Sequence, residues 1–249
     1  MHANPPQKIL EPEFRVYTQN SGLEGILPVC KPKLKTSFSL VSALRKLTKI
    51  TTIGHAGTLD PFADGVMIML IGKKYTRQSN LFLHQDKEYI ATAHLGITTD
   101  TYDIEGKITE QNPLIPTLAQ IEDTLLKFQG TILQTPPMFS AKKIGGKKLY
   151  ELARKGQTIE RKPVPVTIHI TLIEYVYPHL TLKVQCSKGT YLRSLAYDVG
   201  LELGCGAHLS SLTRTRSGNI TLKECCDGAK LFDSSYDWST FIRHEIPCY

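Results

Sequence analysis

The sequence lacks the residue spacings of several common kinds of site. Its six cysteines form no CxxC pair, and its eight histidines show no HxxxH or HExxH spacing, so the patterns typical of zinc sites are absent. No apolar run approaches the roughly 20 residues of a membrane-spanning helix, and the N-terminus has no apolar signal segment. We therefore expect no metal, reduced and mostly buried cysteines, no membrane partner, and a soluble, cytoplasmic protein.

Glycine-rich loops that bind nucleotide phosphates are also missing. The nearest approach, GCGAH at 204–208, has no third glycine of a dinucleotide fingerprint and no Lys-Ser/Thr of a phosphate loop. We interpret it as a helix end followed by a turn, with phosphate binding as the lesser alternative. The sequence therefore predicts no cofactor.

Positive charge is abundant and is concentrated in one segment. The 249 residues are 41% hydrophobic, enough for a sizeable core, and carry a net charge of +7. Residues 127–162 contain nine Lys and Arg against two acids, so this segment alone accounts for the whole excess. A solvated basic helix is one explanation. Because Pro136, Met138, Phe139 and Tyr150 interleave with the charges, we favour a loop that grips a folded polyanion such as RNA.

Apolar periodicity predicts strands and helices in mixed order. Alternation on both sides of Tyr177-Pro178-His179 predicts a long hairpin, and spacings of three and four predict amphipathic helices. The predicted strands are 25–30, 65–72, 87–96, 164–177 and 179–189, the predicted helices are 38–49, 75–84, 118–130, 147–156 and 191–204, and 98–108 is a polar connection. We expect an α/β (α+β) protein with a mixed, largely antiparallel sheet and flanking helices, preceded by an N-terminal extension at 1–20.

The segment GHAGTLDPFADG (54–65) places a sharply turned polar loop before an apolar strand. Its three glycines permit backbone angles that other residues avoid, and Pro61 pushes Asp60 toward an extended conformation. Asp60 is therefore held in a defined turn beside a strand end. From these residues alone, a structural Asp-Pro turn is the more common explanation, and a rigidly presented catalytic carboxylate is the alternative.

This segment resembles the catalytic motif of the TruB-type tRNA pseudouridine synthases, whose pattern is approximately GHxGTLDPxAxG before an apolar strand. Other segments are similar to further motifs of that family and follow in family order, so that the resemblance covers about residues 23–216. They are GILPVCKP with TS (25–37), KEY (87–89), LGITTDTYDIEG (95–106), QTPPMFSAKKIGGKKLYELARKG (134–156) and CSKGTYLRSLAYDVGLELGCGAHLSSLTR (186–214). The resemblance implies the pseudouridine synthase catalytic fold over 21–249, with a basic thumb loop near 130–160.

The resemblance also implies an activity. Members of this family isomerise the uridine at position 55 in the T arm of tRNA, which needs a flipped-out base but no net redox change or energy donor. Asp60 would be the nucleophile, attacking either the ribose or the base, and Arg193 its ion-pair partner. Tyr89 would stack on the uracil and assist loss of the C5 proton.

Other residues take substrate-binding roles from the same resemblance. His55 would enter the space that flipped bases vacate, although a loop-stabilising histidine is the simpler reading of the sequence. Tyr191 and Leu212 would line the base pocket, although Leu212 alone reads as core. RNA contacts are predicted for Arg77 and for the basic loop lysines Lys142, Lys143, Lys147 and Lys148.

Two departures from the family pattern are visible. The first motif reads KPKLKTS, without the glycine that usually follows Lys-Pro, so we expect a loop of altered shape. We also expect no C-terminal RNA-binding domain of the PUA type, which many bacterial members carry. The rival predictions are a guide-RNA-dependent enzyme of the dyskerin type and a non-catalytic RNA-binding protein of the same fold. The resemblance implies tRNA as partner and no obligate protein partner.

Overall fold

A computed structural model describes residues 22–140, 142–144, 146–153 and 155–246; the predicted extension at 1–20 lies outside these ranges. Strands and helices follow one another in mixed order. The strands are β1 Gly25–Lys31, β2 Ile53–Ala56, β3 Asp64–Ile71, β4 Lys87–Leu95, β5 Ile97–Thr99, β6 Ile108–Gln111, β7 Gly130–Gln134, β8 Lys143–Ile144, β9 Lys147–Lys148, β10 Val164–Val176, β11 His179–Cys186, β12 Ala207–Ser217, β13 Ile220–Thr221 and β14 Cys226–Asp227. The α-helices are α1 Ser37–Thr48, α2 Lys73–Thr76, α3 Ser79–Leu83, α4 Leu118–Lys127, α5 Leu149–Ala153 and α6 Leu192–Glu202.

One large sheet organises the described part of the chain. Its ten strands include the ordered path β14-β1-β3-β12-β4-β11-β10-β7, with β13 paired to β12 and β2 paired to β3. The pairs β1–β14 and β3–β12 are parallel and the others are antiparallel. The prediction of a mixed, largely antiparallel sheet with flanking helices is confirmed.

Alternating burial along the strands separates two hydrophobic cores. In β4, every second residue from Lys87 to Leu95 is buried, as expected for side chains that alternate between sheet faces. Apolar residues of α1, α4 and α6 pack on one face of the sheet. Tyr75 of α2 and Phe82 of α3 pack on the other. Within the described ranges, none of the helices has the length and apolar character that a bilayer crossing requires.

The parallel contact between β3 and β12 joins the two halves of the sheet. It is short, with Thr213 opposite Asp64 and Arg214 opposite Gly65. Gly65 has φ +107, and a Cβ on it would lie 2.3 Å from the Arg214 carbonyl oxygen. Only glycine permits so close an approach of the two backbones. The loop containing Asp60 ends at this junction.

Three sequence predictions need correction. The predicted helix 118–130 is too long, because α4 ends at Lys127 with Phe128 as its cap and Gly130 begins β7. The predicted helix 75–84 is two short helices, α2 and α3. The polar connection 98–108 contains part of the β5–β6 hairpin. The cysteine prediction is confirmed for the five described cysteines: they are free, three are buried, and Cys30 and Cys225 are half-buried.

Candidate active site

The loop between β2 and β3 is held by side chains of the first motif. The Ser37 hydroxyl accepts a hydrogen bond from the Leu59 amide and donates one to the Leu59 carbonyl, both at 3.1 Å. The buried Lys31 ammonium donates to the Pro61 carbonyl at 3.2 Å. Because Leu59 and Pro61 flank Asp60 on both sides, the backbone that carries this carboxylate is fixed.

Arg193, on the first turn of α6, forms a two-pronged ion pair with Asp60. Its Nε lies 3.0 Å from Asp60 Oδ2, and its second terminal nitrogen donates to Asp60 Oδ1 at 3.2 Å. Such fork geometry fixes both the position and the plane of a carboxylate. The structure thus brings together the two residues that the resemblance paired across 133 positions of sequence.

A second carboxylate, Asp103, holds the same guanidinium from the opposite side. Arg193 donates to Asp103 Oδ2 at 3.2 Å and to the Thr101 carbonyl at 3.3 Å. Asp103 Oδ1 accepts from the Thr101 hydroxyl at 2.6 Å and from the Glu105 amide at 3.0 Å. The sequence predictions include this segment, TTDTYDIEG, among the family motifs but give Asp103 no role. The signal was available, since the segment carries two aspartates in a family motif.

Burial and charge distinguish the two carboxylates. The Asp60 side chain is 32% exposed, whereas those of Arg193 and Asp103 are 6% and 5% exposed. Burial raises the pKa of Asp60 above its ordinary value, the Arg193 charge opposes that rise, and the Asp103 charge adds to it. Asp60 is therefore the carboxylate of the pair that faces outward, and Arg193 is the group that favours its ionised form.

Tyr89 lies on the same face of the sheet as α1, α4 and α6. It is buried on β4 and stands opposite Arg214 of β12. Burial raises the pKa of Tyr89, while the charge and hydrogen bonding of Arg214 oppose the rise. The free protein therefore holds Tyr89 as a neutral phenol. Leu212 is buried two residues before Arg214, opposite Ala91, and so lies diagonally beside the tyrosine ring.

Arg214 is a further buried cation that the sequence predictions do not include. It is 1% exposed, and it donates to the Val66 carbonyl at 2.6 Å and the Gly57 carbonyl at 3.2 Å. It thereby ties β12 to β3 and to the loop that leads to Asp60. Together with burial, its charge lowers the pKa of His55.

His55 and Tyr191 are both placed beside this network. His55 lies on β2, and its buried Nδ1 has no hydrogen-bond partner among the described residues. Tyr191 immediately precedes α6, and the buried Gln134 side chain fixes its backbone through bonds of 2.8 Å to its amide and 3.1 Å to its carbonyl. Burial raises the pKa of Tyr191, and Ser140, Arg193 and Asp60 are close enough to modify it.

The basic loop is joined to the site at its base. The Phe139 carbonyl accepts from Arg193 at 2.6 Å, and the Thr135 carbonyl accepts from Ser194 at 3.1 Å. The β8–β9 hairpin and α5 follow. Lys142 is half-buried, whereas the side chains of Lys143, Lys147 and Lys148 lie outside the described part of the structure.

Arg77 is exposed at the C-terminal end of α2. Its contact with RNA stays a prediction. No group of three or more histidine, cysteine or acidic side chains in the described ranges is arranged to hold a metal ion.

Comparison with protein families gives two consecutive matches. Residues 45–192 match the N-terminal domain of the TruB family of pseudouridylate synthases, and residues 193–245 match the C-terminal domain of tRNA pseudouridylate synthase B. The boundary between them falls at Arg193, so residues from both matched regions form the candidate site.

Individual proteins are similar over most of the chain. The tRNA pseudouridine synthase B of Protochlamydia amoebophila is 61% identical over 92% of this chain and 87% of its own length. That of Chlamydia trachomatis serovar L2 is 53% identical over 89% of this chain and 92% of its own length. That of Clostridium novyi is 46% identical over 84% of this chain and 72% of its own length.

Two solved structures share the fold. An H/ACA RNP bound to a substrate RNA containing 2'-deoxyuridine matches with a TM-score of 0.64 and 26% identity over 89% of this chain. A Cbf5-Nop10-Gar1 complex matches with a TM-score of 0.68 and 24% identity over 94% of this chain. The match spans 56% and 65% of the length of the respective solved chains.

Proposed function

Because this chain belongs to the TruB family of pseudouridylate synthases, we propose that it isomerises the uridine at position 55 in the T arm of tRNA to pseudouridine. The observation that carries the proposal is the two-pronged ion pair of Arg193 with Asp60, at 3.0 and 3.2 Å, in a loop held from both sides. This pair provides what a carboxylate nucleophile requires, namely a fixed position, a cation that favours its ionised form and access from outside.

The reaction conserves every atom of the nucleoside. The Asp60 carboxylate attacks either the ribose or the base, and the bond from ribose to the base nitrogen breaks with its electron pair. The base then turns and its C5 bonds to the ribose, and the bond to Asp60 breaks with its electron pair returning to the carboxylate, which is thereby regenerated. The proton on C5 leaves and a ring nitrogen gains one, so that no oxidant, reductant or cofactor is consumed. Both routes need a carboxylate that is ionised and held still.

The remaining residues fit roles around a flipped base. The Tyr89 ring, with Leu212 beside it, provides an apolar surface for the uracil. As a neutral phenol bonded by Arg214, the Tyr89 hydroxyl would assist proton removal by passing a proton onward rather than by acting as a phenolate. His55, uncharged because burial lowers its pKa, fits a position against nucleobases.

The proposed partner is the T-arm stem-loop, with no obligate protein partner. The net charge of +7 in residues 127–162 matches the phosphate backbone, and the base of this segment is bonded directly to Arg193 through Phe139. RNA held by the basic loop is therefore held next to the nucleophile. An enzyme that modifies tRNA works where tRNA is made, so the proposal includes a cytoplasmic location.

Guidance by a separate RNA is the main rival, since one matched structure is an H/ACA RNP. The relatives at 46–61% identity, however, are tRNA pseudouridine synthases B. The basic loop also provides cationic groups that could bind the RNA without a guide. A non-catalytic RNA-binding protein is the other rival. The intact contact between Asp60 and Arg193 favours an enzyme.

The test is tritium release from a T-arm stem-loop that carries C5-tritiated uridine at the target position, with no other RNA present. We expect turnover by the parent protein. We expect none by Asp60→Asn, which keeps the side-chain shape and should bind the stem-loop with nearly parental affinity. Failure of the parent without added guide RNA would favour the first rival. Pseudouridine formation by Asp60→Asn would refute the nucleophile.

A further inference from the structure

Three described non-glycine residues have positive φ: Leu34 at 63°, Lys49 at 60° and Tyr102 at 63°. For L-residues this conformation is costly, and for a bulky apolar side chain it is a clear outlier. Lys49 is the C-terminal cap of α1, where a left-handed residue is common. Tyr102 stacks its ring on Tyr197 at 4.0 Å, and its two neighbours in sequence bond Arg193.

Leu34 has no comparable compensation within the described part of the protein. Its side chain is 80% exposed, so it contributes little to either core. The residue nevertheless lies in the segment KPKLKTS, where the family pattern has a glycine, and it adopts a conformation that glycine favours. The departure at this segment therefore leaves a strained backbone with an exposed leucine on it.

The strained conformation is fixed by bonds to the loop that carries the nucleophile. The Leu34 amide donates to the Pro61 carbonyl at 2.8 Å, one residue after Asp60. The Lys31 ammonium bonds three carbonyls, those of Pro32, Lys35 and Pro61, at 2.6 to 3.2 Å. These bonds close the turn around Leu34 and dock it against the catalytic loop, so the surrounding structure dictates where its side chain stands.

The neighbours of Leu34 have the chemistry of a surface for single-stranded RNA. Lys33 and Lys35 are exposed on either side of it and suit phosphates. Phe38, on the first turn of α1, is 62% exposed with Arg45 5.9 Å from its ring centre. Exposed apolar surfaces between cations are what unstacked bases bind. A base that leaves its stack next to the target uridine needs such a surface.

We propose that Leu34 is a substrate-positioning residue: its side chain packs against an unstacked base of the tRNA T loop next to the uridine presented to Asp60. This inference rests on the proposed function and adds a residue and a contact to it. The strain at Leu34 is then compensated in the RNA complex, where the exposed side chain becomes buried. In the free protein the same side chain is dispensable.

The test compares Leu34→Asn with Leu34→Met, both in an Asp60→Asn background that binds RNA without turnover. Asparagine tolerates positive φ better than leucine does, so Leu34→Asn should fold and melt at the same or a higher temperature. It should bind the T-arm stem-loop about 5- to 10-fold more weakly, since it cannot form the apolar contact. Leu34→Met keeps that contact and should bind within about twofold of the parent.

A matched control is Leu126→Asn, which alters another exposed leucine, 69% exposed on α4, and should leave RNA affinity unchanged. Stem-loops with one abasic nucleotide at each loop position then locate the contact. When the abasic nucleotide is at the contacted position, the proteins with Leu34 and with Leu34→Asn should bind the stem-loop equally well. If Leu34 acted in folding alone, Leu34→Asn would instead melt at a lower temperature and bind RNA with unchanged affinity.

Three results would overturn the inference: parental affinity of Leu34→Asn, an affinity loss that persists with every abasic RNA, or a change of oligomeric state in place of an affinity change. Each differs from failure of the proposed function, which appears as absent pseudouridine formation by the protein with Leu34 and Asp60 both intact. A parent that modifies the stem-loop and a Leu34→Asn variant that binds it normally would refute only the role of Leu34.

Discussion

Asp103→Asn tests whether Asp60 and Asp103, the two carboxylates that bind Arg193, have different roles. Asp103 is 5% exposed and accepts three hydrogen bonds, from Arg193, from the Thr101 hydroxyl and from the Glu105 amide. These bonds use both of its oxygens. Asparagine has one acceptor oxygen, and its NH2 group would face at least one of the three donors, so the change leaves a buried donor unpaired whichever way the amide turns.

The expected cost follows from that unpaired donor. A buried donor without a partner costs about 1–3 kcal/mol. The cost is at the upper end of this range if the unpaired donor is the charged Arg193. We therefore expect Asp103→Asn to lower the free energy of unfolding by about 2–3 kcal/mol. Asp60→Asn should cost about 1 kcal/mol or less, because Asp60 is 32% exposed and water replaces part of the ion pair that is removed. The buried carboxylate stabilises the fold, and the exposed one is available for chemistry.

The pH dependence of activity gives a second, independent signature. The negative charge of Asp103 raises the pKa of Asp60, so its removal lowers that pKa. Activity that requires ionised Asp60 declines as pH falls through this pKa, and kcat/KM reports the free enzyme. The acid limb of kcat/KM should therefore shift to lower pH in Asp103→Asn.

The assay is kcat/KM on the tritiated stem-loop across the acid range, with urea denaturation of each variant at neutral pH. Thr101→Val is the matched control, because it removes the 2.6 Å hydrogen bond to Asp103 and no charge. It should lose stability and keep the acid limb in place. An acid limb in Asp103→Asn that stays fixed or shifts upward would refute electrostatic coupling between Asp103 and Asp60.

Two further substitutions test the base pocket and the basic loop. Tyr89→Phe keeps the buried ring, so it should bind RNA normally but stall before tritium release. Tyr89→Leu should in addition lose about 1–3 kcal/mol of base stacking. If Tyr89→Phe releases tritium at the parental rate, the role of the tyrosine is restricted to stacking. Replacing Lys142, Lys143, Lys147 and Lys148 with glutamine should weaken RNA binding and reduce the slope of log affinity against log salt by about 0.7–0.9 for each phosphate that the protein no longer neutralises. An unchanged slope would mean that these lysines contact no phosphate.

The fold was predictable where burial follows a simple period. The strands β1, β3, β4, β10 and β11 have continuous or alternating apolar residues, and α1 and α6 have helical spacing, so each was predicted from the sequence. The strand β12 was missed although it lies between β3 and β4. Two register shifts interrupt its pairing with β4, and Arg214 occupies a buried position on it. Bulges and a buried cation remove the alternation by which strands are recognised.

The site was predictable only where a family motif names the residue. Asp60 and Arg193 are 133 positions apart, and no local sequence pattern indicates that their side chains are in contact. Asp103 and Gln134 lie in segments that resemble family motifs, but the sequence predictions give neither of them a role. Each acts on a distant element, Asp103 on Arg193 and Gln134 on the backbone of Tyr191. Partners of this kind are created by tertiary packing and have no sequence period.

The buried cations around the site give the proposed function an electrostatic rationale. Lys31, Lys87 and Arg214 are at most 6% exposed, and each donates hydrogen bonds to backbone carbonyls. Burial lowers the pKa of each lysine to about 8, and the Arg214 charge contributes to both shifts, so the cations remain charged at neutral pH while repelling one another. Carbonyls satisfy the donors without neutralising the charge. The Lys31 charge favours ionised Asp60, and on the proposed function the RNA phosphates bring further anions to these cations.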